Sequence, residues 1–265
     1  MSLVSVIDSG NVCTVRLERP ERKNALNFDL VEQLCAAVEA ADARPRIRLI
    51  EIRGAGTGFC AGDDIRGMGT EEHPLPSDPF VRGGKGYVAV VRCIRRCRKP
   101  VIANLHGFAI GAGLLVALAA DLITAEPTTK VAAPFARLGI AAGALIAESG
   151  VPHRVANEMV LGGRQLDARR LYDLGVVNHI GEEEQREGWI REIAEYLSTA
   201  AAPAVRAVKH AGTASGPAAT ERSCQLEEFL LAGTYGNPNY AEGKAAYLEK
   251  REPDFTDTGT EMLRW

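Results

Sequence analysis

Leu49-Ile50-Glu51-Ile52-Arg53-Gly54, and after three residues Gly58-Phe59-Cys60-Ala61-Gly62-Asp63-Asp64-Ile65, is the stretch on which the reading of the fold turns. An apolar, strand-like run ends in glycines. The pattern returns in Pro100-Val101-Ile102-Ala103-Asn104-Leu105-His106-Gly107, where Gly111-Ala112-Gly113 then opens an apolar helix that runs to Asp121. A strand that ends in glycines before a helix leaves backbone N–H groups unpaired and pointing outward. Two such ends brought together make a two-donor pocket for an oxyanion.

Outward from these segments the chain alternates short strands with helices, an α/β pattern. Residues 3–8 and 12–17 are strand-like and flank the turn signal Ser9-Gly10-Asn11. Asn27 is placed to cap a helix over 28–42, with Leu30, Val31, Leu34, Ala37, Val38 and Ala41 on one face. A strand over 47–53 follows, then a polar loop over 67–86 with Pro74, Pro76, Pro79 and Gly83-Gly84, a candidate cover for a site. A helix over 87–97 precedes the strand 101–105. Residues 121–125, 130–133 and 176–180 are extended, and a brief helix follows Asp167. From Glu182 the chain is helical, with breaks at Pro203, Gly216-Pro217 and Asn237-Pro238. Two parts are expected: a core over 1–181 and a helical region over 182–265. The second has too little core of its own and needs another surface to pack on.

Composition narrows the classes of function. The 265 residues are 46% hydrophobic and 25% charged, which fits a packed globular core. A net charge of −3 gives no reason to expect nucleic acid or an anionic membrane as partner. The apolar run Gly107–Ala120 is too short to span a bilayer, no secretory leader is expected, and a cytoplasmic protein follows. Cysteines 13, 35, 60, 93, 97 and 224 form no C-x-x-C pair and read as free thiols. No histidine pair has metalloprotease spacing, so no protein-bound metal is expected.

The motifs together resemble the crotonase superfamily, the enoyl-CoA hydratase/isomerase fold, over about residues 4 to 253. The resemblance rests on Glu18-Arg19-Pro20-Glu21-Arg22-Lys23-Asn24-Ala25-Leu26, Phe59 to Ile65, Lys99 to Ala103, His106-Gly107 through Gly111-Ala112-Gly113, Asp121-Leu122-Ile123, and Glu242-Gly243 through Leu248-Glu249-Lys250-Arg251, in the family's order. It implies a spiral of ββα units followed by C-terminal helices that build a homotrimer or a hexamer, a dimer of trimers. It implies an acyl-CoA substrate, with coenzyme A as part of that substrate, no separate cofactor, and a place in fatty acid metabolism. The oxyanion donors carry over to the backbone N–H groups of Asp63 and Ala112. The coenzyme end carries over to Arg22, Lys23, Ala25, Leu26, Asp64, Ile65 and Arg66.

Departures from the family pattern bear on the chemistry. The two glutamates with which family hydratases handle water correspond here to Leu115 and Phe135, which can neither activate water nor donate a proton. With Leu138 they are expected to shape the acyl pocket. The following loop, Leu138 to Leu145, holds no acid, and the nearest carboxylate is Glu148, a catalytic substitute or a surface acid. His106 is expected to pack by hydrogen bonding, and Asp121 to satisfy nearby backbone N–H groups. Asp64 matches the family's structural aspartate. Asp63 is less usual, because a carboxylate beside a developing negative charge is repulsive unless it turns away or is protonated.

Two functions remain. One is an enzyme that stabilises an enolate through the backbone and is a poor syn-hydratase: a lyase, isomerase or decarboxylase. The other is a catalytically silent CoA-binding or partner subunit. A dinucleotide site at Gly54-Ala55-Gly56-Thr57-Gly58 is weak, because no helix follows the glycines directly. No G-x-S-x-G hydrolase pentapeptide is present.

Overall fold

The computed structural model describes residues 2–71, 73–212, 217–235 and 237–255. Its strands are β1 (Val4–Ser9), β2 (Val12–Leu17), β3 (Leu49–Gly54), β4 (Val101–Leu105), β5 (Phe108–Ile110), β6 (Leu122–Ala125), β7 (Lys130–Ala132), β8 (Leu166–Asp167) and β9 (His179–Ile180). Its helices are α1 (Phe28–Ala43), α2 (Pro79–Lys85), α3 (Tyr87–Arg96), α4 (Ala112–Leu118), α5 (Ala144–Ala147), α6 (His153–Val160), α7 (Ala168–Asp173), α8 (Glu183–Thr199), α9 (Ala202–Gly212), α10 (Pro217–Tyr235) and α11 (Pro238–Glu249), with 3-10 turns at Pro20–Arg22 and Ala136–Leu138.

One six-stranded sheet runs β1-β2-β3-β4-β6-β9, and a three-stranded sheet runs β5-β7-β8. The hairpin β1–β2 is antiparallel, with Val4 opposite Leu17 and Gly10 at φ 59° in the turn. From β2 to β9 the larger sheet is parallel. Repeated strand–strand–helix units of this kind make the crotonase-type α/β fold.

The alternation of side chains along a strand divides the residues of β3 and β4 between two covered faces. Cys13, Val15, Leu17, Ile50, Ile52, Val101, Ala103 and Leu105 face the main core, where α1, α3 and α4 pack. Val12, Leu49 and Ile102 point the other way and are covered by Ile190, Ala194 and Leu197 of α8. On that second face a polar ladder crosses the sheet. Thr14 Oγ1 donates to Glu51 (2.7 Å), Asn104 Nδ2 donates to Glu51 (2.7 Å), and buried Arg186 of α8 donates to Asn104 Oδ1 (2.9 Å).

Asn27 caps α1 as expected, its side chain accepting from Leu30 N at 2.9 Å. The loop expected over 67–86 is corrected at its end, where Pro79–Lys85 is helical. Asp78 accepts from Phe80 N and Val81 N, and Pro79 sits in the first turn, so the start signals outweigh the Gly83-Gly84 pair. The strand expected over 176–180 pairs only at His179–Ile180. The helical segment after 182 shares the body's cores: Ile190 and Leu197 lie on the sheet and Leu231 joins the main cluster. Tyr196, Leu226 and Phe229 stay exposed, the last at 49%. The break at Gly216 and residues 256–265 of the expected helical region lie outside the described residues. No helix among the described residues is long and apolar enough to cross a membrane.

Candidate active site

Backbone pairing brings the two glycine-rich segments together. Cys60 bridges Ala109 in parallel, with Cys60 N donating to Phe108 O (3.2 Å) and Ile110 N to Cys60 O (3.0 Å). On its other side this segment pairs with the turn after β2. Leu26 N donates to Gly62 O (2.8 Å) and Asp64 N to Leu26 O (2.9 Å). Because successive N–H groups of an extended chain alternate in direction, Asp63 N–H points away from Leu26. Ala112 N–H is the first of α4 and has no intrahelical acceptor. Neither N–H finds an acceptor among the described residues.

Glycines make this approach possible. Gly62 is at φ +98°, and a Cβ there would lie 2.8 Å from Ile110 O and 3.4 Å from Ala112 N. A Cβ at Gly113 would lie 2.4 Å from Cys60 O, so α4 can begin this close only without one. Two unpaired donors thus flank one small space, an arrangement suited to an oxygen that becomes negative.

Both donors line a cavity of about 410 Å³, together with Arg22, Lys23, Ala25, Asp64, Ile65, Arg66, Phe135 and Leu138. A larger cleft of about 620 Å³, around Arg48, Lys99 and His210, holds none of these residues. Leu26 is buried beneath the cavity and contributes through its backbone bonds. Arg22 and Lys23 are exposed at the rim. Their turn is held by Asn24, whose side chain accepts from Arg19 N (3.0 Å) and donates to Ala55 O (2.8 Å) and Gly58 O (3.0 Å).

Two sequence expectations need correction. Leu115 is 1% exposed in the main core and does not line the cavity, because its turn of α4 points into the packed interior. Glu148 is exposed after the short α5; its carboxylate accepts from Ser223 and it is not at the cavity either. His106 packs through Nε2 against Gly56 O (2.9 Å), and Asp121 accepts from Val101 N (2.7 Å).

Electrostatics separate the two adjacent aspartates. Burial pushes Asp64 up, yet Gly67 N–H (2.8 Å) and the Arg19 guanidinium (2.9 Å) outweigh it and hold the carboxyl below the usual range. Arg19 also donates to Ala25 O, so one buried cation ties the Arg22–Ala25 turn to Asp64. For Asp63 burial wins. Its carboxyl is pushed up to about 7, with the Arg82 charge opposing the rise and the Asp64 charge adding to it.

Sequence reasoning missed the surroundings of Asp63. Arg82 of α2 stacks on Tyr235 (3.7 Å to the ring centre) and donates to the Tyr240 hydroxyl (2.5 Å). Tyr87 of α3 donates to buried Glu227 of α10 (2.7 Å), which also accepts from Gly143 N and Ala144 N. These residues come from two distant stretches of the chain, α2–α3 and α10–α11, and share no motif. The hint in the sequence was the Asp78-Pro79 helix start, which puts Arg82 on a helix rather than in a loop.

The enoyl-CoA hydratase/isomerase family model matches residues 8–258. A 1,2-epoxyphenylacetyl-CoA isomerase of Escherichia coli (strain K12) is 28% identical over 257 residues, 96% of this chain and 98% of that one. The crystal structure of an enoyl-CoA hydratase/isomerase from Pseudoalteromonas atlantica T6c superposes with a TM-score of 0.82 at 28% identity, over 96% of this chain and 100% of that one. A methylmalonyl-CoA decarboxylase in complex with 2-nitronate-propionyl-CoA superposes with a TM-score of 0.77 at 25% identity, over 97% and 99% of the two chains. The chain belongs to the enoyl-CoA hydratase/isomerase family.

Proposed function

We propose that this enoyl-CoA hydratase/isomerase family member binds an acyl-CoA thioester and stabilises its enolate between Asp63 N–H and Ala112 N–H. The observation that carries this reading is the pair of unpaired N–H groups beside Gly62 in a cavity rimmed by Arg22 and Lys23. The thioester oxygen would accept from both donors, and the negative charge that grows there would gain more from them than the neutral carbonyl does. Arg22, Lys23 and Arg66 supply cationic side chains for the coenzyme phosphates, and Phe135 and Leu138 an apolar wall for the acyl chain.

Efficient syn-hydration does not fit this site. The family's glutamate positions are Leu115, sealed in the core, and Phe135. Well-placed acid–base groups contribute about 10²–10⁴-fold in rate, so enolate chemistry can persist where water activation is lost. Lyase, isomerase or decarboxylase chemistry on an acyl-CoA is the class this leaves. Exposed Tyr196, Leu226 and Phe229 support a homotrimer or hexamer that covers them.

A catalytically silent CoA-binding subunit is the second reading. It is favoured by Phe135, an apolar side chain that lines the cavity at a family glutamate position. Calorimetric titration with butyryl-CoA, followed by proton exchange at its α-carbon in D2O, separates the two. Saturable binding with exchange is expected; binding without exchange supports the silent subunit, and no binding at millimolar ligand contradicts both.

A further inference from the structure

We propose that the Asp63 side chain is the catalytic base of this site, moving a proton from the α-carbon to the γ-carbon of a β,γ-unsaturated acyl-CoA thioester. The inference rests on the enolate-stabilising reading above and adds to it the group that moves the proton.

Position is the first ground. Three carboxylates line the cavity: Glu21, Asp63 and Asp64. Glu21 is exposed at the rim, and Asp64 is tied to Arg19 and Gly67 N. Asp63 has no side-chain hydrogen bond or ion pair among the described residues, and its oxygens are not among the buried polar atoms left unsatisfied. Asp63 is thus a lining residue of the cavity whose carboxyl is uncommitted among the described residues. It also belongs to the residue whose own N–H is one of the oxyanion donors. A thioester oxygen held by that N–H would bring the adjacent carbons to the same residue that carries the carboxyl, the proximity that proton transfer needs.

The second ground is what surrounds the carboxyl. The groups that sense its charge are Asp64 and Cys60 on its own segment, Arg82 on α2, Tyr87 on α3, Tyr235 on α10 and Tyr240 on α11. Beyond Tyr87 lies Glu227, already engaged by three donors. Arg82 is held by its stacking on Tyr235 and its bond to Tyr240, and makes no ion pair with Asp63 among the described residues. It tempers the carboxyl without locking it as an anion, and burial places the titration near neutrality. A base is most effective when its pKa lies near the working pH.

The step balances without an external reactant. The α-C–H bond breaks and its proton passes to Asp63. The electron pair moves through the carbonyl carbon onto the thioester oxygen, between the two N–H groups. Asp63, now neutral, returns the proton to the γ-carbon, and the double bond shifts from β,γ to α,β. The repulsion between carboxylate and oxyanion is removed by the transfer itself, since the carboxyl is protonated while the enolate exists.

The test follows exchange of the α-protons of butyryl-CoA in D2O, with affinity measured in parallel by calorimetry. Wild type should exchange with a rate that rises with pH to a plateau, with its midpoint near 7. Asp63→Asn keeps the backbone donor and the shape. It should bind butyryl-CoA unchanged and exchange about 10²–10⁴-fold more slowly. Arg82→Gln removes the opposing cation and should move the midpoint to higher pH, a change that a merely structural role would not produce. D63N exchanging at the wild-type rate, or an R82Q midpoint that stays put, overturns the inference and leaves the oxyanion reading standing; a wild type that binds without exchange overturns the inference together with the enolate reading and favours the silent subunit. Absence of binding in wild type overturns both. If D63N fails to bind, the R82Q midpoint alone decides.

Discussion

Asp63 and Asp64 are neighbours in the chain and opposites in the fold. Asp64 is held ionised by a buried guanidinium and a backbone N–H, and through Arg19 it braces the Arg22–Ala25 turn. Asp63 lines the cavity and has no side-chain partner among the described residues, and it lies near aromatic side chains and a guanidinium that is already engaged elsewhere. Two carboxylates whose environments drive their pKa values apart divide structural from chemical duties. The division arises from the extended pairing with Leu26, which sends successive side chains to opposite faces.

Removing Arg19 should have the largest effect. Arg19→Met leaves Asp64 buried without its cation, and breaking such a pair typically costs about 3–5 kcal/mol. Urea denaturation at pH 7 should report that loss. Because Asp64 is held below the usual range, the stability from its pairing is present above the unfolded carboxylate pKa and fades as pH falls through the folded value. The R19M deficit should therefore shrink in acid; a deficit that stays constant would make Asp64 irrelevant to it.

Next is Gly62→Ala. A Cβ 2.8 Å from Ile110 O must push the two donor segments apart. Loss of one oxyanion donor costs about 10²–10³-fold, and butyryl-CoA exchange should fall on that scale. An unchanged rate would show that the spacing of the two N–H groups does not matter.

Asp63→Asn should act on stability in the opposite sense to R19M. A carboxyl whose folded pKa is raised opposes folding once it must ionise. The penalty is absent in acid, grows as pH rises through the unfolded value, and is complete above about 7. D63N should match wild type near pH 4 and melt higher at pH 8, each kcal/mol relieved shifting Tm by roughly 2–4 °C. A lower Tm at pH 8 would mean that Asp63 is a paired structural acid like its neighbour. Lys23→Ala should matter least: an exposed charge contributes about 0.2–1 kcal/mol, so butyryl-CoA affinity should fall a few-fold at low salt, with the difference fading as salt rises.

What was legible in the sequence follows the range of the interaction. Asn27 as an N-cap, the Gly10 turn and the strands ending in Gly54 and Leu105 are local, and periodicity found them. The close approach of the two segments was legible because glycines at 62, 111 and 113 mark the backbone conformation directly. Arg19 and Asn24 lay inside a quoted motif, yet their bracing role shows only once the turn closes on Asp64, Ala55 and Gly58. The surroundings of Asp63 were not legible, since Arg82, Tyr87, Tyr235 and Tyr240 meet only through the packing of α2, α3, α10 and α11. Leu115 was misplaced for a related reason: spacing after Gly113 gives its position on α4, but not which side of that turn the core closes over.

The central claim is that an oxyanion site made by the backbone, without the paired glutamates, is served by the carboxyl of one of its own donors. A crystal structure with butyryl-CoA bound tests it most directly. The thioester oxygen should lie about 2.7–3.1 Å from both Asp63 N and Ala112 N. The Asp63 carboxyl should be the nearest ionisable group to the acyl α-carbon. A thioester oxygen that meets neither N–H, or an α-carbon approached by a different acid or base, would contradict the account.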